Sequence, residues 1–298
     1  MRVFILGAEA IRSLGFAIAQ RLLMEGHTVT ALAKTDMGVQ NLNKGKIRTV
    51  SGDFEDADVQ KQLVKAEAVI DSEFVIRHTA AEVAQRRSLL IRELKGTERP
   101  LIVASSAYVL GDTGPVPVVE NVPLRTRPGF AYLAPLEEQI LKAASVRGVV
   151  IRNAEEYGRG PVQAIETWTR LASRVKHGTY IQPGTNCWSF VHYDDLADLY
   201  YRALVATGPE KVFHGASETV SMRDLAGAIH RGFGFRGEPS GISLEEASRL
   251  TPGAHGLTGN VAISGDLARR ALGWQPVHGI LKQVEAQAAR EAEWRRAT

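Results

Sequence analysis

Cysteine is almost absent from this sequence of 298 residues, where it occurs once, as Cys187. A single cysteine excludes a disulfide within the chain and is typical of proteins of a reducing compartment. The sequence also lacks an apolar run of about 18 residues, the length that a membrane-spanning helix needs. No segment with a charged start and an apolar core precedes the first predicted strand. We therefore expect a cytoplasmic protein without a membrane partner.

Two kinds of functional pattern are missing as well. The histidines show no spacing typical of a metal site, and no Gly-x-Ser-x-Gly motif indicates a hydrolase nucleophile. Basic residues do cluster, from Arg86 to Arg99 and from Arg290 to Arg296, but a single aromatic residue, Trp294, lies among them, which is too few for the interleaving typical of a nucleic-acid footprint. We interpret these clusters as solvated helix faces and expect neither a metal nor a nucleic-acid partner.

The sequence does contain an α/β pattern with enough apolar residues for a full core. Hydrophobic residues form 44% of the chain, as in ordinary soluble domains. Residues 1–6 predict a strand, residues 7–15 (GAEAIRSLG) a glycine turn, and residues 16–25 a helix. In this arrangement the N-terminus of the helix binds the pyrophosphate of a dinucleotide.

Short apolar strands continue to alternate with helical patterns through the first half of the chain. Such alternation is typical of a parallel sheet with right-handed crossovers, so it predicts a Rossmann-like, doubly wound α/β fold. The further predicted strands are Thr28–Ala33, Ile47–Val50, Ala68–Asp71, Leu101–Ser105 and Val149–Arg152.

The alternation fades in the second half of the chain, which predicts a smaller C-terminal region. We divide the chain into a Rossmann-like, nucleotide-binding-type core at residues 1–166 and a mixed α/β substrate-capping region at residues 167–298. Within the second region, residues 185–206 and 258–276 are predicted to return to the core.

Several separated motifs carry a resemblance to a known family. They are G-D-x-x-D at Gly52–Asp56, a serine motif at Ser105–Gly111, Y-G-x-G at Tyr157–Gly160, V-H-x-D-D-x-A at Val191–Ala197 and L-G-W-x-P at Leu272–Pro276. Together with the glycine turn, they resemble the extended and atypical short-chain dehydrogenase/reductases of the NAD-dependent epimerase/dehydratase type. The resemblance implies the same fold, a small-molecule substrate and a homodimer paired through long helices.

The resemblance also implies catalytic positions. In this family a serine polarises the substrate oxygen, a tyrosine passes a proton, and a lysine four residues later lowers the pKa of that tyrosine. Ser106 and Tyr132 match the serine and the tyrosine, but Leu136 stands at the lysine position. Because a phenol has a pKa of about 10, Tyr132 without a nearby cation stays protonated and is a poor base.

Four departures from the family pattern fall on positions that contact its cofactor. Ala10 replaces the middle glycine of the turn, and Glu9 is expected to place a carboxylate near the phosphates. Glu73 stands where the family has a small residue after the fourth strand. Asn153 and Ala154 replace the proline and glycine of an R-P-G motif. These departures predict an enzyme without a nicotinamide cofactor for net hydride transfer.

If a cofactor does bind, the sequence favours NADP. Lys34 follows the second strand, where a basic residue accommodates the 2′-phosphate of NADP and an acidic residue binds the ribose of NAD. The predicted cofactor-binding residues are then Gly7, Arg12, Gly15, Lys34 and Asp53.

The predicted chemistry is a proton transfer on a small carbonyl-containing metabolite. Glu155 is the candidate base, because burial can raise the pKa of a carboxylate into the useful range. Ser106 and Tyr132 would stabilise a developing oxyanion. The reaction would be a cyclisation, lactonisation, elimination or isomerisation, with a polyketide or other secondary metabolite expected by analogy.

Other interpretations of these residues stay open. A salt bridge from Glu155 to Arg152 or Arg159 is the structural alternative to a catalytic role. The predicted substrate pocket includes Glu73, Tyr157, Trp188 and His192, but for His192 the resemblance favours a structural role, in which it holds a strand-to-helix junction with Asp194 capping the helix. The alternative functions are an NADP-dependent oxidoreductase or epimerase and a non-catalytic nucleotide-binding sensor or regulator.

Overall fold

The computed structural model describes residues 1–73, 79–143, 146–158, 163–251 and 253–297. Its strands are β1 (Arg2–Leu6), β2 (Thr28–Ala33), β3 (Arg48–Ser51), β4 (Ala68–Asp71), β5 (Pro100–Ser106), β6 (Arg147–Asn153), β7 (Glu155–Tyr157), β8 (Thr179–Ile181), β9 (Cys187–His192), β10 (Val212–Gly215), β11 (Glu218–Ser221) and β12 (Ser240–Ile242). Its helices are α1 (Leu14–Met24), α2 (Asp36–Lys44), α3 (Ala57–Lys65), α4 (Ala80–Leu94), α5 (Leu133–Leu141), α6 (Gln163–Val175), α7 (Tyr193–Val205), α8 (Met222–Phe233), α9 (Leu244–Leu250), α10 (Asp266–Leu272) and α11 (Ile280–Ala297).

The main sheet is parallel and has the strand order β10-β6-β5-β4-β1-β2-β3. Its central strands are buried on both faces, as the apolar run Val3–Leu6 in β1 illustrates. The strand order reverses between β1 and β4, and ligands of open α/β sheets bind at the carboxyl ends of strands beside such a reversal. The Rossmann-like fold that the sequence predicts is confirmed.

Several helices begin or end at residues that satisfy their terminal groups. Ser13 caps α1 by accepting the backbone N–H of Phe16 at 3.1 Å. Thr79 and Glu82 form a reciprocal capping box at the start of α4. Gly234 ends α8 in the left-handed conformation. No helix within the described residues is both long and apolar enough to cross a membrane.

The second half of the chain contributes to the main sheet and to two small sheets. Strand β9 pairs in parallel with β7 and antiparallel with β11, while β8 pairs with β12. Strand β10 joins the edge of the main sheet beside β6. The division into a core at 1–166 and a cap at 167–298 stays a prediction.

Candidate active site

Two glycines shape the turn between β1 and α1. Gly7 has φ +85°, and a Cβ added there would lie 2.8 Å from the backbone nitrogen of Glu73. A Cβ at Gly15 would lie 2.6 Å from the carbonyl of Gly7 and 2.5 Å from the hydroxyl of Ser72. The first glycine therefore makes a tight turn and the second allows close helix–strand packing, as in dinucleotide-binding folds.

The start of α1 fits an anionic ligand. Its first turn carries no acidic residue, so the partial positive charge of the helix N-terminus is not neutralised locally. The predicted cofactor residues Arg12, Lys34 and Asp53 are all exposed, in the loops that follow β1, β2 and β3. Their roles in cofactor binding stay predictions.

Glu9 makes a hydrogen bond to the residue that directly follows β2. Its carboxylate accepts the backbone N–H of Lys34, and its own carbonyl accepts the side-chain amide of Asn41 at 3.0 Å. A Cβ on Gly38 would lie 3.0–3.1 Å from the Glu9 side chain. The carboxylate of Glu9 therefore contacts the residue that follows β2, while its place near the phosphates of a cofactor stays a prediction.

Glu73 is neutralised by a buried arginine. Its carboxylate lies 2.5 Å from the guanidinium of Arg86, which also contacts Asp71 at 3.2 Å. Arg87 is buried beside them and donates to the carbonyls of Ala104 and Leu136, at 2.7 and 3.0 Å. The prediction of a solvated face is therefore wrong for Arg86 and Arg87, which α4 turns toward the end of β4.

Ser106 and Tyr132 each lie at the end of an element of secondary structure. Ser106 ends β5, and its hydroxyl accepts the backbone N–H of Tyr108 at 3.3 Å. Tyr132 directly precedes α5, and burial raises the pKa of its phenol. No charged group within the described residues counters that shift in the pKa, so Tyr132 remains a proton donor.

Glu155 forms the centre of the candidate site. It begins β7, and its carboxylate lies 3.4 Å from the hydroxyl of Tyr108, whose ring stacks on Phe130 at 4.6 Å. Burial, reinforced by the charge of Glu156, raises the pKa of Glu155 to about 7, and the Tyr108 hydroxyl partly opposes this rise. Burial and Glu155 raise the pKa of Tyr108 well above its usual range, so Tyr108 donates the hydrogen bond.

Sequence reasoning missed Tyr108, although it lies in the quoted serine motif, two residues after Ser106. The motif itself was therefore the sequence signal for this residue. In the structure the short 3-10 helix Ala107–Leu110 follows β5 directly and places the Tyr108 ring beside the carboxyl end of the sheet. The motif alone does not show that the phenol reaches Glu155.

Arg152 pairs with Glu137 and not with Glu155. The Arg152 guanidinium makes hydrogen bonds of 2.8–3.1 Å to both carboxylate oxygens of Glu137, which also accepts the hydroxyl of Ser105 at 2.6 Å. Burial and Arg152 lower the pKa of His214 to about 3. The alternative salt bridge from Glu155 to Arg152 is therefore wrong, while Arg159 lies outside the described residues.

The other predicted pocket residues lie in β9 or in its neighbour β7. Trp188 is buried, and its indole N–H donates to the carbonyl of Gly259 at 2.8 Å. Tyr157 is buried edge-on against His192. His192 itself caps α7 by accepting the backbone N–H of Asp194 at 3.1 Å, so the prediction that Asp194 is the cap is wrong. Their contacts with a substrate stay predictions.

His192, Asp194 and His278 form a group of possible metal ligands, with donor atoms within 4.8 Å of one another. The two imidazole rings stack at 3.8 Å and 16°, and His278 Nδ1 lies 3.0 Å from Asp195. Lone pairs in two nearly parallel ring planes do not converge on one ion. The geometry fits a packed helix junction better than a metal centre.

Comparison with known proteins agrees with this geometry. The family model described as "NAD dependent epimerase/dehydratase family" matches residues 3–214. An uncharacterized protein of Schizosaccharomyces pombe is 29% identical, over 94% of this chain and 97% of its own length. The 3-diazoavenalumate denitrifying reductase of a Streptomyces species is 26% identical, over 93% of this chain and 97% of its own.

Solved structures match the whole fold. The UDP-glucuronic acid 4-epimerase of Bacillus cereus, in complex with UDP-glucuronic acid and NAD, superimposes with a TM-score of 0.73 at 16% identity, covering 99% of this chain and all of that one. This likeness concerns the fold alone. The glycine turn, the strand order and the family model together identify the chain as a member of the NAD-dependent epimerase/dehydratase family.

Proposed function

We propose that this protein is an NAD(P)-dependent oxidoreductase for a small carbonyl compound, in which Glu155 transfers the proton. The observation that carries the proposal is the carboxyl group of Glu155, which has a pKa of about 7 and accepts a hydrogen bond from Tyr108, a residue that follows β5. A general acid or base works best when its pKa lies near the operating pH. Among Glu155, Tyr108 and Tyr132, that condition is met by Glu155.

The glycine turn supports a dinucleotide as the cofactor. Gly7, Gly15 and the N-terminus of α1 would hold the pyrophosphate. The carboxylates of Glu9 and Glu73, which on sequence alone oppose a cofactor, are engaged by Lys34 and Arg86. The nicotinamide, when bound, supplies or accepts the hydride. The reductase of Streptomyces, similar along its whole length, is consistent with this assignment.

Glu155, Ser106 and Tyr132 would transfer the proton and orient the substrate oxygen. Near pH 7 about half of the Glu155 side chains carry a proton, so Glu155 can deliver a proton to a carbonyl oxygen or accept one from a hydroxyl. The Ser106 hydroxyl accepts from the backbone of Tyr108 and keeps its own hydrogen to orient the substrate oxygen. Tyr132, protonated and without a nearby lysine, would donate a hydrogen bond and not act as a base.

The same Glu155 favours a second candidate function, the proton transfer without hydride that the sequence predicts. The deprotonated half of Glu155 can remove a hydrogen next to a carbonyl group while Ser106 and Tyr132 stabilise the oxyanion. Cyclisation, lactonisation, elimination and isomerisation share this step. The two candidates differ in whether a dinucleotide is consumed.

Turnover assays with a panel of small aldehydes and ketones test the proposal. Wild type, Glu155→Gln and Tyr132→Phe would be assayed with NADH and NADPH. We expect Glu155→Gln to lower kcat/KM by about 10²- to 10⁴-fold, the usual contribution of a general acid or base, and Tyr132→Phe to lower it much less. Glu138→Gln, an exposed acid on α5, is the matched control and should leave turnover unchanged.

The outcomes separate the candidates. Dinucleotide oxidation that depends on Glu155 supports the oxidoreductase. Exchange of a carbonyl-adjacent hydrogen with deuterated water, dependent on Glu155 and without dinucleotide oxidation, supports the non-redox enzyme. Full activity in Glu155→Gln with loss in Tyr132→Phe would overturn the role of Glu155 in both. Nucleotide binding without any turnover would favour the sensor.

A further inference from the structure

We propose that Glu9 selects NAD over NADP by supplying, from the glycine turn, the carboxylate that Rossmann folds usually carry at the end of the second strand. The inference rests on the proposed function, because it concerns which dinucleotide the enzyme takes. It names a specificity-determining residue that the sequence pattern does not reveal.

The end of β2 has no acidic residue of its own. The strand ends at Ala33 and is followed by Lys34. In dinucleotide-binding folds, an acidic residue at this point accepts the ribose 2′-hydroxyl of NAD, whereas a basic residue accommodates the 2′-phosphate of NADP. From the sequence, Lys34 therefore predicts NADP. The structure adds a carboxylate at the same point from a residue 25 positions earlier.

Two hydrogen bonds hold Glu9 at this point. Its carboxylate accepts the N–H of Lys34, and its carbonyl accepts the amide of Asn41 at 3.0 Å. The missing side chain of Gly38 leaves room for it, since a Cβ there would lie 3.0 Å from the carboxyl carbon of Glu9. The carboxylate is therefore positioned by the fold and is not a freely moving surface group.

This position has opposite effects on the two dinucleotides. A ribose 2′-hydroxyl can donate to the carboxylate oxygen that Lys34 leaves unused, which favours NAD. A 2′-phosphate brings a second anion beside the carboxylate, and the Lys34 N–H that would bind the phosphate is already taken by Glu9. The ammonium group of Lys34 is exposed, so solvent weakens its compensating attraction.

Calorimetric titration of the full chain with NADH and with NADPH tests the inference. We expect wild type to bind NADH at least about tenfold more tightly than NADPH. Glu9→Gln keeps the size of the side chain and an acceptor for Lys34 but removes the charge, so the preference should fall by about tenfold, mainly through tighter NADPH binding. Glu138→Gln, which removes an exposed charge on α5, should leave both affinities unchanged.

Three results would overturn the inference, and they are distinguishable. Equal binding of NADH and NADPH by wild type, unchanged in Glu9→Gln, refutes selection by Glu9 while leaving the proposed function intact. A Glu9→Gln variant that binds both dinucleotides equally better shows that Glu9 blocks the site. Failure of wild type and of Glu9→Gln to bind either dinucleotide, with unchanged thermal unfolding, refutes the dinucleotide-dependent function itself.

Discussion

Removing one partner of the buried pair between Glu137 and Arg152 should strongly destabilise the fold. Both side chains are almost fully buried, at 1% and 5% exposure, and their closest contact is 2.8 Å. Glu137→Gln leaves the guanidinium of Arg152 uncompensated in a region where water cannot solvate it. Breaking such a pair costs about 3–5 kcal/mol of unfolding free energy, and the Ser105 hydroxyl also loses its anionic acceptor.

Urea unfolding of wild type, of Glu137→Gln and of a double variant measures this cost. Because two apolar side chains leave no buried charge, Glu137→Leu combined with Arg152→Met should recover most of the stability that Glu137→Gln loses. A loss below about 1 kcal/mol for Glu137→Gln would show that the pair behaves like an exposed pair, for which losses of that size are typical. A Glu137→Leu, Arg152→Met double variant that is less stable than Glu137→Gln would likewise contradict the cost of a buried unpaired charge.

Three further predictions follow from the site. The pKa of the Glu155 carboxyl is about 7 in the folded protein and 4.5 in an ordinary glutamate, so its contribution to stability is lost as the pH rises through that range. Between about pH 5 and 8 the unfolding free energy of Glu155→Gln should therefore rise by about 2.5 kcal/mol relative to that of wild type. A difference between the two proteins that stays constant with pH contradicts the raised pKa. Glu156→Gln should move the pH–activity profile to lower pH, because the charge of Glu156 raises the pKa of Glu155; an unmoved profile argues against that coupling. Gly15→Ala should lower the unfolding free energy by about 1–3 kcal/mol, because its methyl group would meet the carbonyl of Gly7 at 2.6 Å; an unchanged Tm contradicts this.

Six of the strands of the main sheet, and the Rossmann-like fold they form, could be predicted from sequence because these strands are short apolar runs, most of them separated by helical periods. Strand β4, for example, covers Ala68–Asp71, the same residues that the sequence predicts from three apolar residues followed by an aspartate. The entry of β10 into the same sheet could not be predicted. Its pairing with β6 depends on a chain separation of about sixty residues, which no local pattern encodes.

The candidate site could be predicted in part. The sequence points to Glu155 as a carboxylate with a raised pKa, and the structure supplies its cause, burial together with Glu156. The contact partners could not be predicted, because the pairs Tyr108–Glu155, Glu9–Lys34 and Arg86–Glu73 join residues that are far apart in the sequence or lie on different elements. Of these three contacts, only the one between Arg86 and Glu73 pairs opposite charges, while those of Tyr108 and Lys34 are hydrogen bonds that position a carboxylate.

A carbon-13 NMR titration of the side-chain carboxyl groups, with wild type and Glu155→Gln compared over the same pH range, measures the pKa of Glu155 directly. We expect one glutamate carboxyl signal in wild type that titrates near pH 7 and is missing from Glu155→Gln. If instead every glutamate signal of wild type titrates below about pH 5.5, close to the value of an unperturbed glutamate, Glu155 is an ordinary ionised carboxylate and is not the proton carrier of this enzyme.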